Sequence, residues 1–344
     1  MGETGGLGIE IRRLFKLFGP NPRAHVQKVR DGLSKPELMA RHHHVLGLKD
    51  ISITIPAGSI QVVMGLSGSG KSTLIRHINR LIDPTSGQLL VGGVDVVRMG
   101  KGELRRFRRH QTAMVFQKFA LLPHRTVLEN TVYGLEIQGL PRREQVERAM
   151  RWIERVGLSG FEARYPNQLS GGMQQRVGLA RALANDAPIL LMDEAYSALD
   201  PLIRMDMQSV LLDLQRELRK TVVFITHDLD EALRLGDRIA ILRDGEVIQQ
   251  GAREDIVLRP ADDYIARFVR EVNRGRVIRA EAIMGPPGDA GCAVPCGATL
   301  DEAMRLLSRA GAQRAAVVND AGRVVGSLDL PLIVESMTMR EPVH

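Results

Sequence analysis

The chain has two cysteines, Cys292 and Cys296, in 344 residues. Spaced C-x3-C, they are too few for a disulfide framework and half of a closed zinc set, so they read as free thiols. Aromatic residues are scarce, 4% of the chain with one tryptophan, a content too low for the stacking platforms that bind single-stranded nucleic acid. Long apolar runs are absent. "ILLM" (Ile189–Met192) and "TVVFIT" (Thr221–Thr226) fall far short of the roughly 18 residues of a membrane span. The opening "MGETGGLGIEIRRLF" lacks the apolar segment and cleavage site of a secretory signal, so the cytoplasm is the expected compartment. An acidic excess is missing too: Lys and Arg outnumber Asp and Glu by 47 to 40, a net charge of +7. Such a balance suits nucleic acid, an anionic membrane surface or plain solubility, and with so few rings nucleic acid is not an expected partner.

What is present is a long alternation of β-like apolar runs and amphipathic helical stretches, from about Leu46 to Gly245. It predicts an α/β domain with a largely parallel sheet. "SIQVVMG" and "TAMVFQ" read as strands, and "KSTLIRHINRLI" as a helix with Leu74, Ile75, Ile78, Leu81 and Ile82 on one face. Between Thr126 and Asn185 the pattern turns wholly helical, an inserted subdomain at about 126–185. Strand and helix alternation then resumes with "PILLMD", "PLIRMDMQSVLLDLQRELRK", "TVVFIT" and "RIAILRDG". The Gly/Pro-rich "GPPGDAGCAVPCG" breaks the chain before a small α/β tail. The predicted parts are an N-terminal extension (1–45), a main domain (46–275) and a C-terminal module (276–344).

The stretch "MGLSGSGKST" (Met64–Thr73) follows an apolar strand and opens a helix, the setting in which G-x-x-x-x-G-K-S is a phosphate cradle. Gly65, Leu66, Ser67, Gly68, Ser69 and Gly70 let backbone N–H groups converge on a polyanion at a helix N-terminus. Lys71 is placed to reach the β- and γ-phosphates, Ser72 to put its hydroxyl on Mg²⁺, and Thr73 closes the motif. The competing reading is a flexible turn with an incidental lysine. In "ILLMDEAYSALDP" a buried strand ends in two acids, Asp193 placed to hold Mg²⁺ and Glu194 left free to polarise water; otherwise they are solvated turn acids. In "NQLSGGMQQRVGLARAL" (Asn167–Leu183), Ser170, Gly171 and Gly172 form a second anion-binding helix end. Two such ends in one domain suit a head-to-tail dimer in which each copy completes the other's site. A simple N-cap by Ser170 is the plain alternative.

"GLSGSGKST", "VFQ" (Val115–Gln117), "LSGGMQQR", "LLMDEAYSALDP" and "ITHD" (Ile225–Asp228) stand in the order and spacing of the ATP-binding subunits of ABC transporters, which the chain resembles from about Leu46 to Gly275. The resemblance implies a P-loop ATPase fold using ATP and Mg²⁺. Gln117 would be the glutamine that meets Mg²⁺ or water and reports to membrane subunits. Ser170 to Gly172 would be the signature, Glu194 the catalytic base, Asp200 the aspartate of the loop after the acidic pair, and His227 the switch histidine. "LFKLFGPNP", "DGLSKPELM" and "MVFQKFALLPHRTVLENT" narrow the resemblance to ATPase subunits of glycine betaine/L-proline importers and their quaternary-amine relatives.

That resemblance implies an energy-coupling ATPase on the cytoplasmic face of the plasma membrane. It would dimerise, engage transmembrane permease subunits and serve an extracytoplasmic solute-binding protein. A soluble ABC ATPase acting on nucleic acid or ribosomes, or an exporter ATPase, are the alternatives; the first usually carries coiled-coil inserts or fused cassettes, the second fused membrane spans. Tyr196 stands where phenylalanine is usual. No aromatic is expected upstream to stack on adenine, and "RHHH" (Arg41–His44) occupies that region, its imidazoles either stacking on the base or solvated. The tail reads as helix, strand, turn (Asn319–Gly322), strand, helix, resembling a single CBS motif that pairs with a second copy.

Overall fold

The computed structural model describes residues 5–117, 120–197, 199–288 and 290–338. The chain divides into two compact units: one runs to Asp228 and resumes at Leu235–Ile248, the other comprises Leu229–Arg234 and the residues from Gln249 onward.

The first unit carries a six-stranded sheet in the order Glu246–Ala252, Arg238–Arg243, Ile60–Met64, Thr221–Thr226, Ile189–Asp193, Thr112–Val115, the edge strand Glu246–Ala252 running on past Ile248. The last five run parallel, with Ile60 opposite Val222, Asp193 opposite Ile225 and Val115 opposite Met192. Ile60–Met64, Ile189–Asp193 and Thr221–Thr226 are buried at every position, as strands covered on both faces must be, which is why they read as unbroken apolar runs. The chain order puts Ile60–Met64 in the middle, so the loops after it and after its neighbours meet at one edge. At such C-terminal edges open α/β sheets bind ligands.

A second, antiparallel sheet orders Val45–Ile55, Ile9–Phe18, Ser86–Val91 and Val94–Asp95. Ile9–Phe18 pairs with both neighbours, so this stretch before position 45 is part of the sheet. Ile11, Leu14, Ile51 and Leu89 from this sheet share one core with Val63, Leu191 and Ile225 of the parallel sheet and Leu74 and Ile78 of the helix Lys71–Ile78. Burial of that apolar surface is the main stabilising term.

Between the strands Thr112–Val115 and Ile189–Asp193 stand three packed helices, Val127–Gln138, Arg142–Arg155 and Gly171–Ala184. Their ends are set by local chemistry. Thr126 accepts from Glu129 N while Glu129 accepts from Thr126 N, a reciprocal cap, and Gly139 closes the first helix in the left-handed region at φ +80°.

The second unit contains a three-stranded sheet, Cys292–Pro295, Arg314–Val318, Val324–Asp329 in that order, with helices Leu300–Ala310 and Leu330–Thr338. Leu300, Ala303 and Leu307 of the first helix and Ala315 and Val317 of the central strand are buried; Leu306 and Val318 are only partly covered. The Gly/Pro-rich break is not structureless. Cys292–Pro295 within it pairs in parallel with Ala315–Val318, because its own Ala-Val alternation suffices for a short edge strand.

The helix predicted through Ile82 stops at Ile78, since Arg80 adopts φ +51° and turns the chain out, leaving Leu81 half exposed. Inside that helix His77 is buried. Its Nδ1 donates to Thr73 O at 2.6 Å and its Nε2 has no partner among the described residues. Burial disfavours the imidazolium and pushes the pKa from 6.5 down to about 4. The unfolded chain therefore takes up a proton before the folded one, and stability falls as pH drops from about 6.5 to 4, by up to about 3 kcal/mol. Urea unfolding of the parent and His77→Met across that range is expected to show this part of the acid loss in the parent only.

Candidate functional site

The strand Ile60–Met64 delivers its chain into a loop that folds back on the following helix. Gly65 sits at φ +153°, and a Cβ there would lie 2.2 Å from Leu242 O and 2.7 Å from Ser69 Oγ, so the neighbouring strand leaves no room for a side chain. Gly70 caps the helix Lys71–Ile78 at φ +104°. Lys71 is 4% exposed and its ammonium donates to Gly65 O at 2.7 Å and Leu66 O at 2.9 Å, with Glu194 Oε1 at 3.8 Å. Burial lowers its pKa, while Glu194 and Asp193 pull the other way. The loop's carbonyls thus hold a cation at the helix N-terminus, where its dipole and free N–H groups favour an anion.

The strand Ile189–Asp193 ends beside this loop. Asp193 is buried, accepts from Ser72 Oγ at 2.8 Å on Oδ1, and faces the Arg76 guanidinium at 3.3 Å on Oδ2. Glu194, the next residue, takes φ +46°, a left-handed conformation that costs of order 1 kcal/mol for a residue with a side chain. It is held there on both sides: its N–H donates to Ile225 O, and its carbonyl accepts from the N–H and hydroxyl of Ser197. This turn directs the carboxylate away from Asp193's path, so that Gln117 Nε2 donates to Oε2 at 3.0 Å and His227 Nδ1 lies 3.7 Å from the same oxygen. Gln117 comes from the end of the strand Thr112–Val115 and His227 from the end of Thr221–Thr226. The parallel sheet is what gathers them.

The structure therefore brings Lys71, Ser72, Asp193, Glu194, Gln117 and His227 to one edge. It does not bring Ser170 to Gly172 or Asp200 into hydrogen-bonded contact with them among the described residues. Ser170 caps the helix Gly171–Ala184 by accepting from Met173 N, and Gly172 packs against Ile203. Asp200 caps Pro201–Leu218 by accepting from Leu202 N and Ile203 N. Tyr196 is buried, its ring against Phe224 and its hydroxyl donating to Met207 O.

Of the histidines of "RHHH", His43 is exposed, as a solvated side chain would be, and His44 is not. His44 is 3% exposed, with Nδ1 2.6 Å from His42 O and Nε2 2.6 Å from Pro20 O. The His25 ring lies 4.4 Å from that of His44 and 4.6 Å from that of His42. His42, half-buried, and His44 thus pack with His25 within the segment Gly19–His44.

An aromatic ring at the site does exist, and sequence reasoning missed it. Phe18 ends the strand Ile9–Phe18, is 40% exposed, and carries Lys16 Nζ 4.9 Å from its ring centroid. A Cβ on Gly47 would meet its ring at 2.7 Å, and Gly47 O in turn would meet a Cβ on Gly70 at 2.8 Å, so Phe18 lies one residue's width from the phosphate loop. Phe18 pairs with Val45, and the segment Gly19–His44 leaves and returns at that point. The signal that could have found it is "IEIRRLFKLF" read as a strand ended by "GPNP", with the search for an aromatic begun before that excursion.

The chain matches the ABC transporter family over residues 48–197. It is 52% identical to "Glycine betaine transport ATP-binding protein OpuAA" of Bacillus subtilis over 80% of this chain and 66% of that one. It is 45% identical to "Glycine betaine/proline betaine transport system ATP-binding protein ProV" of Escherichia coli over 97% of this chain and 83% of that one. A solved structure, "Dimeric structure of a post-hydrolysis state of the ATP-binding cassette MJ0796 bound to ADP and Pi", superposes with TM-score 0.61 at 33% identity, covering 71% of this chain and 98% of that one.

The close approach at Gly65 has a measurable consequence. Gly65→Ala is expected to destabilise by several kcal/mol, on the order of an overpacked core site. Gly68→Ala, which faces open space at φ +79°, is expected to cost about 1 kcal/mol from backbone strain alone. Thermal or urea unfolding of the two variants checks the ranking.

Proposed function

The chain belongs to the ATP-binding subunits of ABC transporters, the glycine betaine/proline importer branch, and from that premise we propose that it hydrolyses ATP to energise import of glycine betaine or a related quaternary amine. The observation that carries this reading is the convergence of Lys71, Ser72, Asp193, Glu194, Gln117 and His227 on one sheet edge.

ATP's phosphates would lie on the loop Gly65–Thr73, its β- and γ-phosphates taking the place of the loop carbonyls on Lys71. The donors present fit a small hard cation that keeps water and phosphate ligands: Ser72 Oγ and Asp193 Oδ1 are already within 2.8 Å, Gln117 offers an amide oxygen, and no group of three His, Cys, Asp or Glu side chains placed to hold a metal exists among the described residues. Ser72, Asp193 and Gln117 would hold Mg²⁺, which supplies charge neutralisation at the phosphates. Glu194 would orient the attacking water and draw its proton as the new P–O bond forms and the β–γ bridging P–O bond breaks, ADP leaving. His227, beside the same carboxylate, would steady the developing charge. Phe18 would stack on adenine, its ring lying next to Gly47, whose carbonyl abuts Gly70 of the loop.

Ser170 to Gly172 and Asp200 would act on the nucleotide of a second copy, closing two composite sites under twofold symmetry; their separation from this chain's own cluster supports that arrangement. No helix among the described residues is long and apolar enough to cross a membrane, which suits a peripheral subunit docked on permease subunits at the cytoplasmic face and served from outside by a solute-binding protein. The ATPase part, read at 46–275, takes in the strand Ile9–Phe18 before it. The module read at 276–344, a CBS-like arrangement, would pair with that of the second copy, its exposed Val324 and Val334 offering apolar surface for the contact.

Turnover and nucleotide binding, measured together on purified protein, test the site. Glu194→Gln is expected to keep ATP affinity while turnover falls at least about a hundredfold. Lys71→Ala is expected to lose nucleotide binding itself. Phe18→Ala is expected to weaken ATP binding about tenfold and Phe18→Trp to restore it, as stacking requires. Parental turnover in Glu194→Gln would remove the carboxylate from its role. Uptake of radiolabelled glycine betaine by vesicles holding the full transporter tests the solute.

A further inference from the structure

The chain leaves the strand Ile9–Phe18 at Gly19 and rejoins the sheet at Val45, and one side chain closes that neck. His44, 3% exposed, donates from Nδ1 to His42 O at 2.6 Å and from Nε2 to Pro20 O at 2.6 Å. A carbonyl oxygen only accepts, so both bonds are made together by a ring that carries a hydrogen on each nitrogen. His25 and His42 flank this ring, with centroids 4.4 Å from His44 to His25 and 4.6 Å from His25 to His42. Burial, then His44, His42 and Lys28, hold the pKa of His25 below its ordinary value. Burial, then Lys28, His44 and Arg41, do the same for His42. Lys28 Nζ, which only donates, stands 3.4 Å from His42 Nε2, as suits a neutral imidazole there.

The His44 ring also touches the residue that follows Phe18. Gly19 takes φ +146°, and a Cβ on it would lie 2.5 Å from His44 Cδ2 and 2.8 Å from Nε2. The backbone that carries Phe18 thus rests directly against the ring, with no side chain between them. The rest of the excursion is held by other means: Val26, Val29 and Leu38 share an apolar cluster with Phe15, Leu17 and Leu46 of the sheet. Phe18, at the strand's end and 40% exposed, is not a member of that cluster.

We propose that His44 is a positioning residue for the nucleotide base, tying Pro20 to His42 behind Gly19 and so fixing the chain that presents the Phe18 ring. The inference rests on the reading of Phe18 as the adenine platform. Closing a long excursion at its neck removes conformations from the residue at its root. A platform ordered before the base arrives then loses less entropy on binding. Apolar packing is non-directional, whereas two N–H groups fixed on one rigid ring set both the separation and the orientation of the carbonyls they hold.

A double-mutant cycle on the full-length protein tests this, reading the Kd for ATP by titration calorimetry in His44→Phe, Phe18→Ala and the double variant, with kcat and thermal unfolding alongside. His44→Phe keeps a ring and loses both donors. It is expected to weaken ATP binding about fivefold with kcat at saturating ATP within about twofold, since the hydrolytic groups lie elsewhere. The double variant is expected to bind within about twofold of Phe18→Ala alone, because His44 acts through Phe18. His44→Gln, whose amide stands in for Nε2 and reaches Pro20 O, is expected to stay within about twofold of the parent. His44→Asn, whose shorter amide stands in for Nδ1, is expected to lose as much as His44→Phe. A side chain that only stabilised the excursion would lower the unfolding temperature and leave the Kd of the folded protein unchanged. Parental affinity in His44→Phe, losses that multiply in the double variant, or Asn rescuing where Gln does not would overturn the proposal. Parental affinity in Phe18→Ala would instead remove the stacking role itself, and the proposal with it. Should His44→Phe not fold, His44→Asn takes its place in the cycle under the same requirement of non-additivity.

Discussion

A buried ammonium is the constraint from which the site follows. Taking Lys71 out of water costs several kcal/mol unless oxygens surround it, and the chain supplies them from its own loop, Gly65 O and Leu66 O, with Glu194 close by. For those carbonyls to turn inward, Gly65 must press against Leu242 O with no side chain, which requires the strand Arg238–Arg243 as a neighbour. The parallel order of the sheet is thereby tied to the loop. The same order sets the strands ending in Asp193, Gln117 and His227 around it, so the sheet topology and the electrostatics of the site are one arrangement.

The two adjacent acids show how backbone geometry separates chemical roles. Asp193 ends its strand in extended conformation, and its oxygens are taken by Ser72 and Arg76. Glu194 is turned to φ +46° and meets Gln117 and His227 instead. The strain is local, and the bonds to Ile225 O and from Ser197 keep it in place.

Much of this was legible in the sequence because the chemistry is local to it. A phosphate loop needs glycines, a lysine and a hydroxyl in consecutive positions, and a fully buried strand needs an unbroken apolar run, so "GLSGSGKST" and "ILLMDE" announce both. What was not legible depends on distance or on single backbone angles. Phe18 was missed because the Gly19–His44 excursion separates it from the strand beside which it sits, and strand pairing across 26 intervening residues leaves no periodic trace. The end of the helix at Ile78 rests on one positive φ at Arg80, a residue whose propensity favours continuing. Cys292–Pro295 hid within a Gly/Pro-rich segment because an edge strand tolerates the proline. The packing of His25, His42 and His44 needed the fold itself.

The central claim, that each nucleotide site is completed by a second copy, is tested most directly by mixing two inactive variants. Lys71→Ala damages the loop and Ser170→Arg the facing helix end, so neither homodimer has an intact site. Co-expressed or mixed before ATP is added, their heterodimer has one site with both elements native. Turnover is then expected to return to about a quarter of the parental rate, half the dimers being mixed and each carrying one working site of two. If the loop and the helix end served the same copy's nucleotide, the mixture would stay as inactive as its components, and the composite site would be contradicted.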